Sequence, residues 1–229
     1  SRTLQMDSEA FSVERVSQAL KDVGFYSEDD KDVGSRVSEM KRPFLSADGL
    51  EFYKNNFLQD ARIRSVLEAF FPWCGLARYQ KFHADPGHIF QFRGGGEKAG
   101  QHVLVAQLWG NGSEVIYYYR SHNHALPGVK ASNGLWEVPY AALEDAGCSE
   151  CLRISFRHGG WTIQDARTAF GYERGTPIAT VFATREVIAR WTRLKVPNSK
   201  DVISKVRELE SVNPKIGLHI ECEDSFENI

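Results

Sequence analysis

Hydrophobic positions recur along this chain with two different periods, and the change from one to the other divides it. In "EAFSVERVSQALKDVGF", Phe11, Val13, Val16, Ala19, Leu20 and Val23 share one helical stripe that stops at Gly24. The stretch "LSADGLEFYKNNFLQDARIRSVLEAFF" predicts one or two further amphipathic helices ending before Pro72. Between them, "YSEDDKDVGSRVSEMKRP" is polar and predicts a loop. From about residue 86 the pattern shortens to β-branched and aromatic runs between glycine-rich turns: "HIFQFR", "HVLVAQLW", "EVIYYYR", "LRISFR", "WTIQDAR" and "PIATVFA". These are strands. Asn111-Gly112-Ser113 sits between two of them as a hairpin turn. "GLWEVPYAALEDAGC" predicts a short strand and one or two helical turns, and "TREVIARWTRLKVP" and "SKDVISKVRELESV" predict charged amphipathic helices.

Helices at both ends and consecutive strands between them point to an antiparallel sandwich or barrel with helical buttresses, rather than alternating β-α units. Composition narrows the partners. With 229 residues, 42% of them hydrophobic, and a net charge of −2, the chain is an ordinary globular one with no electrostatic footprint for nucleic acid or anionic membrane. No apolar run approaches the roughly 18 residues of a membrane span, and "SRTLQMDSEAF" lacks a signal-peptide core, so the expected location is cytoplasmic. Met6 is a candidate native start, and residues 1–5 are left out of the fold reasoning.

Two groups of residues could hold a metal. His83 and Asp85 are two apart, so on an extended strand both would point one way, toward a shared ion. Each also has an ordinary reading as a turn residue around Pro86. Cys148-Ser-Glu-Cys151 and His219-Ile-Glu-Cys222 offer four zinc-type ligands, but the first pair follows a helix-to-strand turn and the second lies in a charged tail. Cys74, beside Trp73, has the setting of a small buried hydrophobe. The triplet Gly94 to Gly96 has no strand-to-helix context and is a turn, not a phosphate loop.

The order of features over residues 76–184 resembles the phytanoyl-CoA-dioxygenase-like family of iron and 2-oxoglutarate oxygenases. "HVLVAQLWGNGSEVIYYYRSHNHALPG" resembles that family's strand, Asn-Gly turn, second strand and "PGSH" segment, here Tyr119-Arg120-Ser121-His122. "GGWTIQDARTAFGYERGTPIATVFA" resembles its later hairpin. The resemblance implies an antiparallel jelly roll, or double-stranded β-helix, with a pocket between its sheets, iron(II) and 2-oxoglutarate as cofactors, and a small-molecule substrate. The expected layout is one domain over 1–229: a helical part over 6–75, the jelly roll over 76–184 and C-terminal helices with a tail over 185–229. Two departures stand out. The distal metal histidine falls on Phe170, which cannot ligate iron, and the arginine expected for the 2-oxoglutarate carboxylate falls in "GTPIATVFA", which has none. His83 and Asp85 remain as metal candidates, with His158 or His122 as the third ligand ahead of His88 and His124.

Around the expected cavity, Arg93, Gln107, Trp109, Tyr117, Tyr119, Trp161 and Phe170 are candidate substrate-binding residues, and Asp165 and Arg167, on one face of a strand, are candidate catalytic residues. Asp165 and Arg167 could equally form a structural ion pair. Three functions are compatible with these features: an oxygenase tailoring a small molecule, a metal-independent isomerase or cyclase in the same pocket, and a non-catalytic binding domain.

Overall fold

The chain forms two six-stranded sheets packed face to face, with helices covering the outer face of one, in a computed structural model that describes residues 11–41 and 44–223. The first helical stripe is α1 (Val13–Asp22), capped by the Ser12 side chain accepting from the Arg15 N–H and closed at Gly24, whose φ of +98° suits glycine. There follow β1 (Phe25–Asp29) and α2 (Lys31–Glu39), so the stretch expected to be a loop is a strand and a helix; residues 42 and 43 lie outside the described residues. Two local features outweigh its polarity. Asp30 accepts from the N–H groups of Asp32 and Val33, and Val33 and Val37, one turn apart, are buried.

Then come α3 (Ala47–Tyr53), a π-turn (Lys54–Leu58) and α4 (Ala61–Phe70), ending before Pro72 as the periodicity predicts. The strands are β2 (Cys74–Lys81), β3 (Phe90–Gln91), β4 (Val103–Trp109), β5 (Ser113–Tyr118), β6 (Val129–Lys130), β7 (Trp136–Glu137), β8 (Cys151–Phe156), β9 (Gly160–Asp165), β10 (Phe170–Arg174) and β11 (Ile178–Ala183). Between them lie the single turn α5 (Gly96–Ala99), a 3-10 turn (Ser121–Asn123) and α6 (Tyr140–Asp145). The C-terminal part has one full helix rather than two. It runs α7 (Arg185–Ile188), β12 (Leu194–Val196), α8 (Lys200–Val212), β13 (Ile216–Leu218) and β14 (Ile220–Cys222).

The first sheet has the order β1-β9-β4-β11-β2-β13 and the second β6-β7-β3-β10-β5-β8. Pairing is antiparallel except where β13 joins β2, and where β12 and β14 form a separate parallel ribbon. Helices outside an antiparallel jelly roll is the architecture the strand pattern predicts. The turn at Asn111-Gly112 is a correction: β4 and β5 belong to different sheets, and only Gly112 takes a positive φ, +72°. A hairpin turn of the Asn-Gly type needs both residues left-handed. This one instead carries the chain across the sandwich.

Alternation along β9 separates the two cores. Trp161 and Ile163 pack with α1, α2, α3, α4 and α8, whereas Thr162 and Gln164 point between the sheets. Among the described residues no helix is long and apolar enough to cross a membrane.

The α2 contact with the sheet depends on bare backbone. A Cβ on Gly34 would meet the His158 carbonyl oxygen at 2.0 Å. Gly34→Ala is therefore expected to cost about 1–3 kcal/mol, because a strand turn has to move to admit the methyl group. Denaturant melts of the two proteins check this, and an unchanged midpoint would mean that α2 is not seated as described.

Candidate functional site

Between the sheets the sequence places polar side chains inside an aromatic shell. Gln107 Nε2 donates to Gln164 Oε1 (2.8 Å) and to Tyr117 Oη (3.2 Å), while Gln107 Oε1 accepts from the Tyr172 hydroxyl (2.7 Å). Thr162 Oγ1 accepts from Trp109 Nε1 and from the Tyr117 hydroxyl, each at 3.0 Å. Burial pushes the Tyr117 phenol up, against the pull of those hydrogen bonds. Of the buried network only Gln164 Nε2 has no partner among the described residues.

Phe170, at the head of β10, pairs in register with Phe90 on β3 and Tyr117 on β5. Its ring lies 5.4 Å from Phe92, 4.8 Å from Tyr172 and 6.4 Å from Phe90, centroid to centroid. The position that the oxygenase resemblance assigns to a metal histidine is thus enclosed by carbon. His83 and Asp85 lie not on a strand but in the loop between β2 and β3, where His83 is exposed. Asp85 faces His88 at 3.8 Å, and His88 Nδ1 lies 2.7 Å from Glu137 Oε1, which with Asp85 holds the His88 imidazole above its usual range. His122 is buried against Lys21, His124 borders a groove, and among the described residues no three His, Cys, Asp or Glu side chains could hold one metal ion. These residues do not fit a two-histidine, one-carboxylate iron site. The four zinc-type ligands do not assemble either: Cys148 and Cys151 line the groove beside β8, whereas His219 and Cys222 lie at the β12-β14 ribbon.

Asp165 is the last residue of β9 and Arg167 lies in the turn beyond it, so the two do not share a strand face. They meet because the turn folds back. Arg167 donates to Asp165 Oδ1 from its backbone N–H (2.9 Å) and Nε (2.8 Å), and to Oδ2 from Nη2 (2.7 Å). Its Nη1 donates to the Gly96 carbonyl at 2.7 Å, and its own carbonyl accepts from Gln91 Nε2. With Asp165 at 1% and Arg167 at 5% exposure, the pair is enclosed, and each guanidinium nitrogen and each carboxylate oxygen has at least one partner within the protein. His122 lies nearby, its imidazole held below the usual range by burial against the opposing charge of Asp165.

Arg93 lies beside the Asp165-Arg167 pair. Its side chain is half-buried, and among the described residues it makes one hydrogen bond, a 3.3 Å contact from Nη1 to the Gly100 carbonyl. Burial and the Arg167 charge both lower its pKa, and the opposing pull of Asp165 does not reverse this. Arg93 borders a cleft of about 400 Å³ with Gln91, Gly94, Leu126, Gly128 and Trp136.

The other predicted site residues separate. Gln107, Trp109, Tyr117 and Phe170 are together between the sheets. Trp161 is on the opposite face of β9, 5.6 Å from the Tyr26 ring and 5.2 Å from the Arg62 guanidinium, because odd positions of that strand face the helices. Tyr119 borders a groove of about 640 Å³ with Arg120, His124, Cys148 and Cys151. Sequence reasoning passed over Arg78. The antiparallel register places it opposite Val181 of β11, beside the segment that lacks the expected arginine, with a 3.5 Å contact to the Gly134 carbonyl. Burial lowers its pKa. Only strand pairing, which a single sequence does not contain, brings it there.

By sequence the chain matches no protein-family model and no curated protein. By structure it is similar to HygX from Streptomyces hygroscopicus with iron bound, with a TM-score of 0.55 and 13% identity, covering 84% of this chain and 94% of that one. HygX with nickel, 2-oxoglutarate and hygromycin B bound gives 0.55 and 12%, covering 82% and 92%. The epimerase SnoN, in complex with Fe3+, alpha ketoglutarate and nogalamycin RO, gives 0.52 and 13%, covering 75% and 83%. At these identities the likeness establishes the fold: a double-stranded β-helix shared with iron- and 2-oxoglutarate-binding enzymes.

The Asp165-Arg167 geometry has a direct energetic consequence. Arg167→Ala would leave a carboxylate buried without its partner, a loss of about 3–5 kcal/mol. Thermal or denaturant unfolding is expected to show it, together with a smaller loss in the Asp165→Asn, Arg167→Ala double variant. A single variant that melts like the parent would show the pair to be dispensable.

Proposed function

We propose that this chain is a small-molecule-tailoring enzyme on the oxygenase jelly roll, working without iron at the position the fold's oxygenases use. One observation carries the reading: Phe170, which the sequence resemblance sets at the metal histidine's position, is packed against Phe90 and Phe92, rings that offer no ligand atom. HygX and SnoN, which carry the same fold, are described with hygromycin B and nogalamycin RO bound, and they support a substrate of similar kind, a metabolite from secondary metabolism.

The reaction class that suits the residues is a rearrangement within one molecule, an isomerisation or cyclisation. Such a step needs a surface that holds one reactive conformation and a charge that polarises one group. Arg93 supplies the charge. Asp165 and Arg167 act as positioning residues: they fix the turn whose Ala166 carbonyl accepts from the Arg93 N–H at 2.8 Å. Phe170, Tyr117, Trp109 and Gln107 form the rigid floor behind them.

Metal content of the purified protein, followed by an iron(II) titration with 2-oxoglutarate consumption monitored, tests this reading. The expected result is iron well below one equivalent, no consumption of 2-oxoglutarate, and no change in either on His83→Ala. Equimolar iron with 2-oxoglutarate turnover that disappears in His83→Ala or Asp85→Ala would overturn it and restore the oxygenase.

A further inference from the structure

Two guanidinium groups and one carboxylate meet where β9 turns into β10. Asp165 gives both its oxygens to Arg167, so Arg93 holds a positive charge in a half-buried place without an acidic partner among the described residues. A desolvated, unpaired cation is costly unless an anion completes it. Among the described residues, the cleft that Arg93 borders has no acidic lining residue. Its walls are Leu126, Trp136, the backbone at Gly94 and Gly128, and Gln91. Trp136, on β7, keeps 40% of its surface exposed there although it is a large apolar side chain, and the Lys130 ammonium sits 5.0 Å from its ring. The charge and the apolar wall thus have one common complement.

We propose that this cleft binds a small organic carboxylate, its carboxyl group paired with the Arg93 guanidinium and its apolar or aromatic body laid against Leu126 and Trp136. A planar guanidinium matches a carboxylate in two parallel hydrogen bonds, and the apolar walls favour a molecule with a hydrocarbon body over a bare anion. The assignment deepens the tailoring-enzyme reading by naming its substrate class and rests on that reading for the catalytic role. The binding itself is measured without turnover, iron or 2-oxoglutarate, so either can fail alone.

The test is a titration of the intact protein by ligand-observed NMR with three probes: benzoate, benzyl alcohol and inorganic phosphate. Benzoate is expected to bind saturably and more tightly than either of the others. Arg93→Gln is expected to weaken benzoate ~10-fold or more, the scale of a lost charge-assisted pair. It should leave the melting temperature level or raised, because it removes an unpaired cation. A second variant guards against misfolding. A Cβ at Gly94, which lines the cleft, would meet nothing within 4 Å, so Gly94→Val meets no clash at Cβ and is expected to weaken benzoate binding while leaving the melting temperature level. Absence of saturable benzoate binding, equal binding of benzyl alcohol, tighter binding of phosphate, or benzoate binding unchanged in either variant would overturn the proposal.

Discussion

The turn from β9 to β10 is one of the places where the chain crosses between the two sheets of the sandwich, and the Asp165-Arg167 pair fixes it. Five residues, Ala166 to Ala169 with Asp165, carry the chain from one sheet to the other, and their backbone is bonded on several sides. The Asp165 N–H donates to Gly24, that of Ala166 to Val103, that of Thr168 to Asp165, and that of Ala169 to the Ser121 hydroxyl. The Arg167 carbonyl and guanidinium reach β3 through Gln91 and α5 through Gly96. A surface ion pair would contribute little, but an enclosed one held by three hydrogen bonds is costly to break from one side only. The pairing also has an electrostatic result: the neighbouring Arg93 makes no ion pair with a carboxylate among the described residues.

The interior of the jelly roll sets a second constraint. A pocket that holds a metal and a cosubstrate needs ligand atoms and room at its centre, whereas this one is packed with Phe82, Phe90, Phe170, Tyr172 and Tyr117 around a chain of hydrogen bonds in which Gln164 Nε2 alone lacks a partner among the described residues. Each neutral hydrogen bond contributes only about 1 kcal/mol net, yet an unpaired glutamine or tyrosine there would cost more than that, so the network specifies its own arrangement. Polar groups inside this barrel are part of its packing, and it is the barrel's end and edges that are left for a ligand.

Much of the architecture was legible in the sequence because burial on one face imposes a period. The α1 stripe, the runs that became β4, β5, β8, β9 and β11, and the placement of helices outside the sheets all follow from that pattern. Elements whose cause is not periodic were not legible. The signals for β1 and α2 are a capping aspartate and a glycine contact, both masked by acidic residues, while β2 mixes Arg78, Gln80 and Lys81 into its run. In the same way, Asn111-Gly112 carries a local turn signal that says nothing about which sheet the chain enters next. Site residues suffered most from alternation: Trp161 and Thr162 are neighbours in sequence and lie on opposite sides of a sheet.

The sequence resemblance and the structure differ in what they say about chemistry, and side-chain identity decides between them. Fold likeness at 13% identity reports how strands are ordered, and strand order survives replacement of nearly every side chain that meets a ligand. What bears on function here is narrower: a phenylalanine where the sequence resemblance expects a histidine, and an arginine with no acidic partner among the described residues that shares a cleft with a tryptophan. A cation that folding alone would have buried with a partner, or left in water, is held half-desolvated by a turn that the protein stabilises with an enclosed ion pair. That arrangement is stabilising only once something outside the chain supplies the negative charge.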